Sequence, residues 1–551
     1  MPGPDPHDRP PSRPEDPRLW RVAVGATAAL TYLRTVTFGW VYDDQMEVVR
    51  NVFIRSWRSL PSIFTSTAWE GSGMETFLYR PVTISSYLVN HAVSGLEPWS
   101  YHLANVGLHA FVSILVFQVG RLWRLPVVAA GVGAMIFAVH PVHVEVVAAV
   151  FGRRDLLAAV FLLGMVLAHA RALDRMGRGW VLAPLCFAGA ALSKEVGVVA
   201  PALVALQDLY LHGSVGGGRR PGRAMYAAYA AVLLLLLVAR FHVTGGFGIP
   251  GTSYLDNPLV AASPWARVGT AVAVVGHGIG LLAVPWRLSP DYSFDAFPVV
   301  GSMADVRFVG ALLILGSVAW VVARSGRRVS LPLLLAGWYA VTLFPASNLV
   351  VAVGTIFGER LLYLPSVALS LTAGLAGHGL WARRRGVAAA TALVVGAGLA
   401  LQTARYSSAW SDDVSLFRWA ARWAPRSTKA HHKLGEELLR RGDLGPAIRS
   451  LDRAIAIAPD NVFAEATLAV ARSHAWERYG NGEELPFDAD VLRVLSRAAR
   501  DRGDRGKAEF FRELALSFAP RAAHRADDIA SGKGSGVDRG DPPTVFDPSI
   551  R

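Results

Sequence analysis

Two adjacent carboxylates, Asp43 and Asp44, follow an apolar run in the stretch FGWVYDDQMEVV (38–49), with no Lys or Arg among their nearest neighbours. A carboxylate at a bilayer edge is tolerated where it faces water, and a second one beside it raises the cost of ionising both. Such a pair suits proton abstraction. One carboxylate can deprotonate a hydroxyl, while the other tunes it, orients the acceptor or helps place a divalent ion.

Four further polar clusters interrupt apolar surroundings: LYRPV (78–82), HPVHVEVVAAVFGRRDLLA (140–158), LSKEVG (192–197) and IFGERLLYLPS (356–366). Charges at membrane depth usually face a cavity and mark a site. Arg80, Arg153, Arg154, Lys194 and Arg360 can hold an anionic phosphate, arginine doing so through paired hydrogen bonds. Asp155, Glu195 and Glu359 stand beside them and complete the substrate-binding candidates, together with His140, His143 and Glu145. The two histidines and Glu145 also invite a metal reading. Pro141 breaks the helix between them, and no further His/Cys cluster completes a zinc-like site, so no metal is assigned. The chain lacks a phosphate-binding Gly-rich loop and a serine-centred nucleophile elbow, which leaves nucleotide hydrolysis and acyl transfer without support. Phosphate clamp plus carboxylate base, at the outer edge of a helical bundle, describes sugar transfer from a lipid-phosphate donor to a hydroxyl.

The elements that must position these residues are membrane helices. The 551-residue chain is 52% hydrophobic with a mean hydropathy of +0.34, and its apolar residues come in long runs. Runs such as AMYAAYAAVLLLLLVAR and GVAAATALVVGAGLALQ approach the ~20 residues that a helix needs to cross a bilayer, and lipid cannot satisfy backbone groups in any open structure. About eleven or twelve such segments lie between Trp20 and Ala404. The predicted fold is all-α: a polytopic bundle over 20–404, then a short helical repeat domain over 405–521. Residues 1–19 and 522–551 have the composition of disordered tails. The first of these does not resemble a signal peptide, so the first span is expected to be retained. Cys186 is the only cysteine and excludes an intrachain disulfide.

Net charge is +13, but the arginine clusters RLWR (121–124), GGGRRPGR (216–223), RSGRR (324–328) and WARRRG (381–386) flank spans. Short basic loops stay cytoplasmic, which accounts for the charge without nucleic acid. It also places the N-terminus inside, and the DDQ loop and C-terminal domain outside. That topology needs an odd number of crossings. The Gly-rich stretch 265–286 is the first candidate for a re-entrant segment, and the short pair around ALSKEVG (191–197) is the second. The outer loop 43–100 is too long for a connector and is expected to carry one or two surface helices near Trp57, Phe64 and Trp69.

Beyond Ala404 the pattern becomes amphipathic. Pro425 and Pro459 stand 34 residues apart, the tetratricopeptide period. Between them Leu434, Gly435, Leu438, Ala447, Leu451 and Ala454 fall where that repeat places packing residues; Ala508, Ala515 and Pro520 mark a weaker copy. Residues 462–488 break the period. An isolated helix pair buries too little to be stable alone, so the domain is expected to pack on the last span or the membrane loops.

The ordered series VYDDQ, YRPVTISSYLVNHAVSGLEPWSYHLANVGLHA, FAVHPVHVEVVAAVFGRRDLLAAVF, ALSKEVGVVAPALVALQDL, PDYSF and FPASNLVVAVGTIFGERLLYLPSVALSL, followed by tetratricopeptide repeats, resembles the transmembrane and tetratricopeptide-repeat-containing O-mannosyltransferases and their bacterial relatives. These belong to the C-type glycosyltransferase superfamily. The resemblance covers about 38 to 460. It implies a polyprenyl-phosphate sugar donor in the membrane, with mannose by analogy. It also implies inversion at the anomeric carbon, and an acidic motif in the first outer loop that falls on Asp43 and Asp44. The implied acceptor is an extracytoplasmic protein or glycan hydroxyl, the repeats offer a protein partner surface, and the implied location is a multi-pass inner-membrane protein. Relatives often carry a longer solenoid than this chain. A different reading from the same residues is an inactive membrane-anchored scaffold for an envelope assembly. Retention of the acidic pair, YRP and the basic residues together speaks for the enzyme. The polar clusters gather on one face, with no buried series through the bundle, which speaks against a transporter.

Overall fold

The computed structural model describes residues 16–174, 177–215, 223–246, 252–326, 329–480 and 488–516. The expected tails lie outside these residues, except that the first helix already begins at Pro17, and Pro520 lies outside them too. Two compact units, 1–434 and 435–551, divide the chain. Regular structure is helical throughout the described residues.

Among the described residues of the first unit six helices are long and apolar enough to cross a membrane: Trp99–Leu122, Val150–Ala172, Arg223–Thr244, Pro264–Ala283, Val306–Arg324 and Arg385–Ser411. Shorter apolar helices, Pro17–Tyr32, Gly179–Ser193, Ala200–Val215, Leu331–Leu343 and Ser366–Arg383, complete this polytopic bundle. Local chemistry sets their ends. Asp16 caps the first helix by accepting from Arg18 N, with Pro17 at its first position, where a missing N–H costs nothing. Another run, Val127–Val139 followed by Pro141–Ala148, is bent by 50°. His140 precedes a proline and is extended there (φ −71°, ψ 125°), as proline forces on its predecessor. Where the helices cross, glycine permits contact. A Cβ on Gly374 would stand 2.1 Å from Ala129 O, so Ser366–Arg383 and Val127–Val139 meet backbone to backbone.

The helix Pro264–Ala283 is continuous, yet the chain on both sides of it is tied to the same end of the bundle. Before it, Asp256 pairs with Lys429 at 2.7 Å, and the Lys429 ammonium lies over the Tyr42 ring. At its far end Leu282 O is 3.1 Å from His140 Nε2, and Ser289 N donates to Glu359. Length and apolarity alone therefore do not make this segment a crossing.

The long loop after the first helix folds as short turns around Trp57–Ser59 and Leu60–Thr65, then the helix Pro81–Ser94. Its inner side forms a small core of Val48, Ile54, Ile63, Ile84, Tyr87 and Tyr101, while Trp57 and Phe64 remain exposed. Still within this unit, Asp413–Trp423 and the start of Thr428–Arg440 dock on the loops: Asp413 Oδ1 accepts from Tyr42 N at 2.7 Å, and Ser427 Oγ donates to Asp291 at 2.5 Å.

The second unit builds its own core from Leu444–Ile457, Val462–Tyr479, Ala489–Asp501 and helical residues 505–516. Ile448, Leu451, Leu468, Leu492, Leu495 and Phe511 are buried together. A side chain on Gly435 would place Cβ 2.6 Å from Leu451 Cγ, so a small residue is required at that crossing.

Candidate active site

The first helix ends in a 3-10 turn, Leu33–Thr37, and the chain runs to Tyr42, whose φ of 53° is left-handed and rare for a residue with a ring. A turn over Gln45–Val49 follows. This geometry sends the two neighbouring carboxylates to different places. Asp44 turns inward and is fully buried, its Oδ2 accepting from Val41 N at 3.0 Å and its Oδ1 from Phe151 N at 2.7 Å. Burial pushes its carboxyl up to about 8, against the pull of the amide donors, and the nearby charge of Glu47 adds to the rise. Asp43 turns outward: its side chain is 22% exposed and its Oδ2 lies 3.5 Å from Arg154 Nη2.

Arg154, in the first turn of Arg153–Asp174, is the centre of the network. It pairs with Glu47 as well as Asp43, lies 3.9 Å from Asp155, and stacks over the Phe151 ring. Lys194, at the end of Gly179–Ser193, reaches Asp155 Oδ1 at 2.5 Å. Burial pulls the Lys194 ammonium down, and the charges of Arg154 and Arg360 pull it further, which sets three cations in one electrostatic neighbourhood. Arg360 is held by Glu145, which accepts from its backbone N at 2.9 Å and pairs with its guanidinium. Of these three cations it is the most open, with 22% of its side chain exposed against 11% for Lys194.

Arg80 sits one step away. Its Nε and Nη2 grip Glu195 at 3.1 and 2.9 Å, and Nη1 is 3.8 Å from Glu47. Burial pushes Glu195 up, but the Arg80 charge and hydrogen bonds outweigh it and hold the carboxyl at about 2; Arg240 adds to the same effect.

The remaining expected residues go elsewhere. Arg153 is spent on the scaffold: it donates to Asn105 at 2.9 Å, to Tyr101 O at 2.7 Å and to Asn90, and it lies over Tyr87. His140 and His143 have both ring nitrogens engaged, His140 with Leu282 O and Val142 N, His143 with Phe137 O and Ser366 Oγ. Both are buried as core side chains, His143 against the Phe137 and Tyr363 rings and His140 against His143. Glu359 is buried and accepts from Ser289 N and from Tyr292 OH at 2.8 Å. Burial and the charge of Glu145 raise it well above the ordinary carboxylate range. No group of three His, Cys, Asp or Glu among the described residues is arranged to hold a metal ion.

Two contributors escaped the sequence reading. Glu47 joins Arg154, Arg80 and the Tyr87 hydroxyl (3.3 Å); its signal was its spacing, four residues after Asp43 and so on the same side of a helical turn. Asp413, far along the chain, fixes Tyr42 and had no local signal at all.

A family profile described as Protein O-mannosyl-transferase TMTC, DUF1736, matches residues 246–319, the stretch holding Pro264–Ala283 and the loop after it. Protein O-mannosyl-transferase TMTC4 of Homo sapiens is 28% identical over 491 residues, covering 79% of this chain. Tmtc3 of Drosophila melanogaster is 26% identical over 536 residues, covering 84%. In sequence this chain resembles the TMTC protein O-mannosyl-transferases. It spans 66% of the TMTC4 protein and 57% of the Drosophila one. Among solved structures, ArnT from Cupriavidus metallidurans bound to undecaprenyl phosphate aligns over 85% of this chain and 81% of its own, with 15% identity and a TM-score of 0.41.

Proposed function

We propose that the chain is a membrane glycosyltransferase that moves a sugar from a polyprenyl-phosphate donor to a hydroxyl, with Asp43 as the base. The observation that carries this reading is one open carboxylate fixed 3.5 Å from Arg154, beside Lys194 and Arg360. Asp43 takes the proton of the acceptor hydroxyl. The acceptor oxygen then bonds to the anomeric carbon as the carbon–oxygen bond to phosphate breaks, inverting that centre. The bond's electron pair leaves on the lipid phosphate, where Arg360 and Lys194 offset its growing charge. Arg154 keeps Asp43 oriented. Asp44 serves as the tie that holds the loop, and Arg80 with Glu195 and Glu47 braces the cluster from the side. The Asp43 end faces away from the cytoplasm in this reading, and the helical unit beyond residue 434 recruits the acceptor.

The named activity of the relatives makes mannose and protein Ser/Thr hydroxyls the first substrates to offer. The test is transfer of labelled mannose from polyprenyl-phosphate mannose to extracytoplasmic proteins by the purified full chain. Label appearing with the wild type and not with Asp43→Asn supports the reading. Absence of transfer from this and other lipid-linked sugars would leave the membrane-anchored scaffold in its place.

A further inference from the structure

At the opposite end of the bundle a cleft of about 420 Å³ opens between three helices, Pro17–Tyr32, Trp99–Leu122 and Arg153–Asp174. Each contributes one arginine to its lining: Arg21, Arg121 and Arg171. Phe117 and Leu167 add apolar wall, and Gln118 adds an amide. Among the described residues no carboxylate lines the cleft, and no ion pair holds any of the three guanidinium groups. Arg121 gives one N–H to Leu125 O and Arg21 one to Pro17 O, which leaves most donors of each fork unspent.

Position says what such a cleft can take. Arg171 lies about 26 Å along its helix from Arg154 by helical rise, roughly the thickness of bilayer hydrocarbon. The three arginines therefore stand at headgroup depth on the face opposite Asp43. Leu19 and Val22, on the helix that carries Arg21, are about 70% exposed, an apolar surface for an acyl chain. Three cations with no ion-pair partner among the described residues, flanked by apolar side chains, match a phosphodiester whose tails run into the bilayer.

We infer that this cleft is a binding site for the headgroup of an anionic bilayer phospholipid, separate from the catalytic face. Arginines at the ends of two helices also offset helix dipoles. That effect acts without lipid and does not discriminate between headgroups.

The experiment titrates the full chain in detergent with phosphatidylglycerol, with phosphatidylcholine and with inorganic phosphate, reading bound species by native mass spectrometry. Phosphatidylglycerol should be retained, with affinity falling about fivefold for each of Arg21→Gln, Arg121→Gln and Arg171→Gln. Lysine at the same positions should restore most of it, and the control Arg383→Gln/Arg384→Gln/Arg385→Gln should bind as the wild type does. Arg21, exposed near the start of its helix, keeps the test open should Arg121→Gln unfold the chain. Unchanged binding in Arg21→Gln and Arg171→Gln would overturn the site, and so would an equal loss in the control triple. Retention of phosphatidylcholine to the same extent, or displacement of the lipid by inorganic phosphate at equal concentration, would overturn the lipid assignment.

Discussion

At the Asp43 end of the bundle, Arg154 meets Asp43 and Glu47, Arg80 is gripped by Glu195, Lys194 reaches Asp155 and Arg360 is held by Glu145. At the other end Arg21, Arg121 and Arg171 line a cleft with no described carboxylate. The difference is one of burial. Charges sunk among helices need partners, because an unpaired buried charge costs several kcal/mol. The arginines of the opposite face are exposed and bear no such penalty. Paired charges hold a geometry in place; unpaired ones remain available to a ligand.

Substitutions can break that contrast or sharpen it. The largest effect on activity is expected from Asp43→Asn. Initial transfer rates should fall by about 10² or more, while the thermal midpoint stays close to that of the wild type; undiminished transfer would remove Asp43 from the chemistry. Glu47→Gln should be the most damaging to stability, by about 3 kcal/mol, since it leaves Arg154 and Arg80 short of a buried counter-charge. Denaturant unfolding in detergent would check it, and a loss under ~0.5 kcal/mol would mean that Asp43 and Glu195 suffice.

Asp44→Asn should cost ~1–3 kcal/mol, because an amide cannot accept both backbone N–H groups. A pH series reads the same residue. Its folded value, about 8, lies above its unfolded value near 3.8. The folded state is thus favoured by this group in full below pH ~4, and that contribution is lost as pH rises toward ~8. Asp44→Asn should flatten that part of the stability profile, and an unchanged slope would contradict the burial argument. The smallest effect belongs to the opposite face. In lipid-free detergent, Arg171→Gln should change stability by less than ~0.5 kcal/mol, as expected for an exposed side chain. A larger drop would reveal a structural role for the open arginines.

Much of this was legible in the chain. Long apolar runs and their interruptions located the helices and brought YRP, GRRD, SKE and ER to one end, because a charge in lipid has few places to go. Neighbouring positions were harder. Asp43 and Asp44 are chemically identical, and only the left-handed turn at Tyr42, whose N–H donates to Asp413, separates an open carboxylate from a buried one. Arg153 and Arg154 divide in the same way, since consecutive residues on a helix face different neighbours. His140 and His143 stood among the substrate-binding candidates because imidazole nitrogens suit a polar site; in the fold those nitrogens meet Leu282 O, Val142 N, Phe137 O and Ser366 Oγ. Glycine was the clearer signal. Gly435 stands where the repeat places a packing residue, and a Cβ there would collide with Leu451.

The two bonds made by Asp44 have a kinetic meaning. Through Val41 N and Phe151 N it fastens the segment bearing Asp43 to the segment bearing Arg154, within three residues of each. Carboxylate and guanidinium are thereby held as one piece, and their separation is set while the chain folds. In the proposed reaction, the entropy of aligning them is borne once per molecule rather than at every transfer.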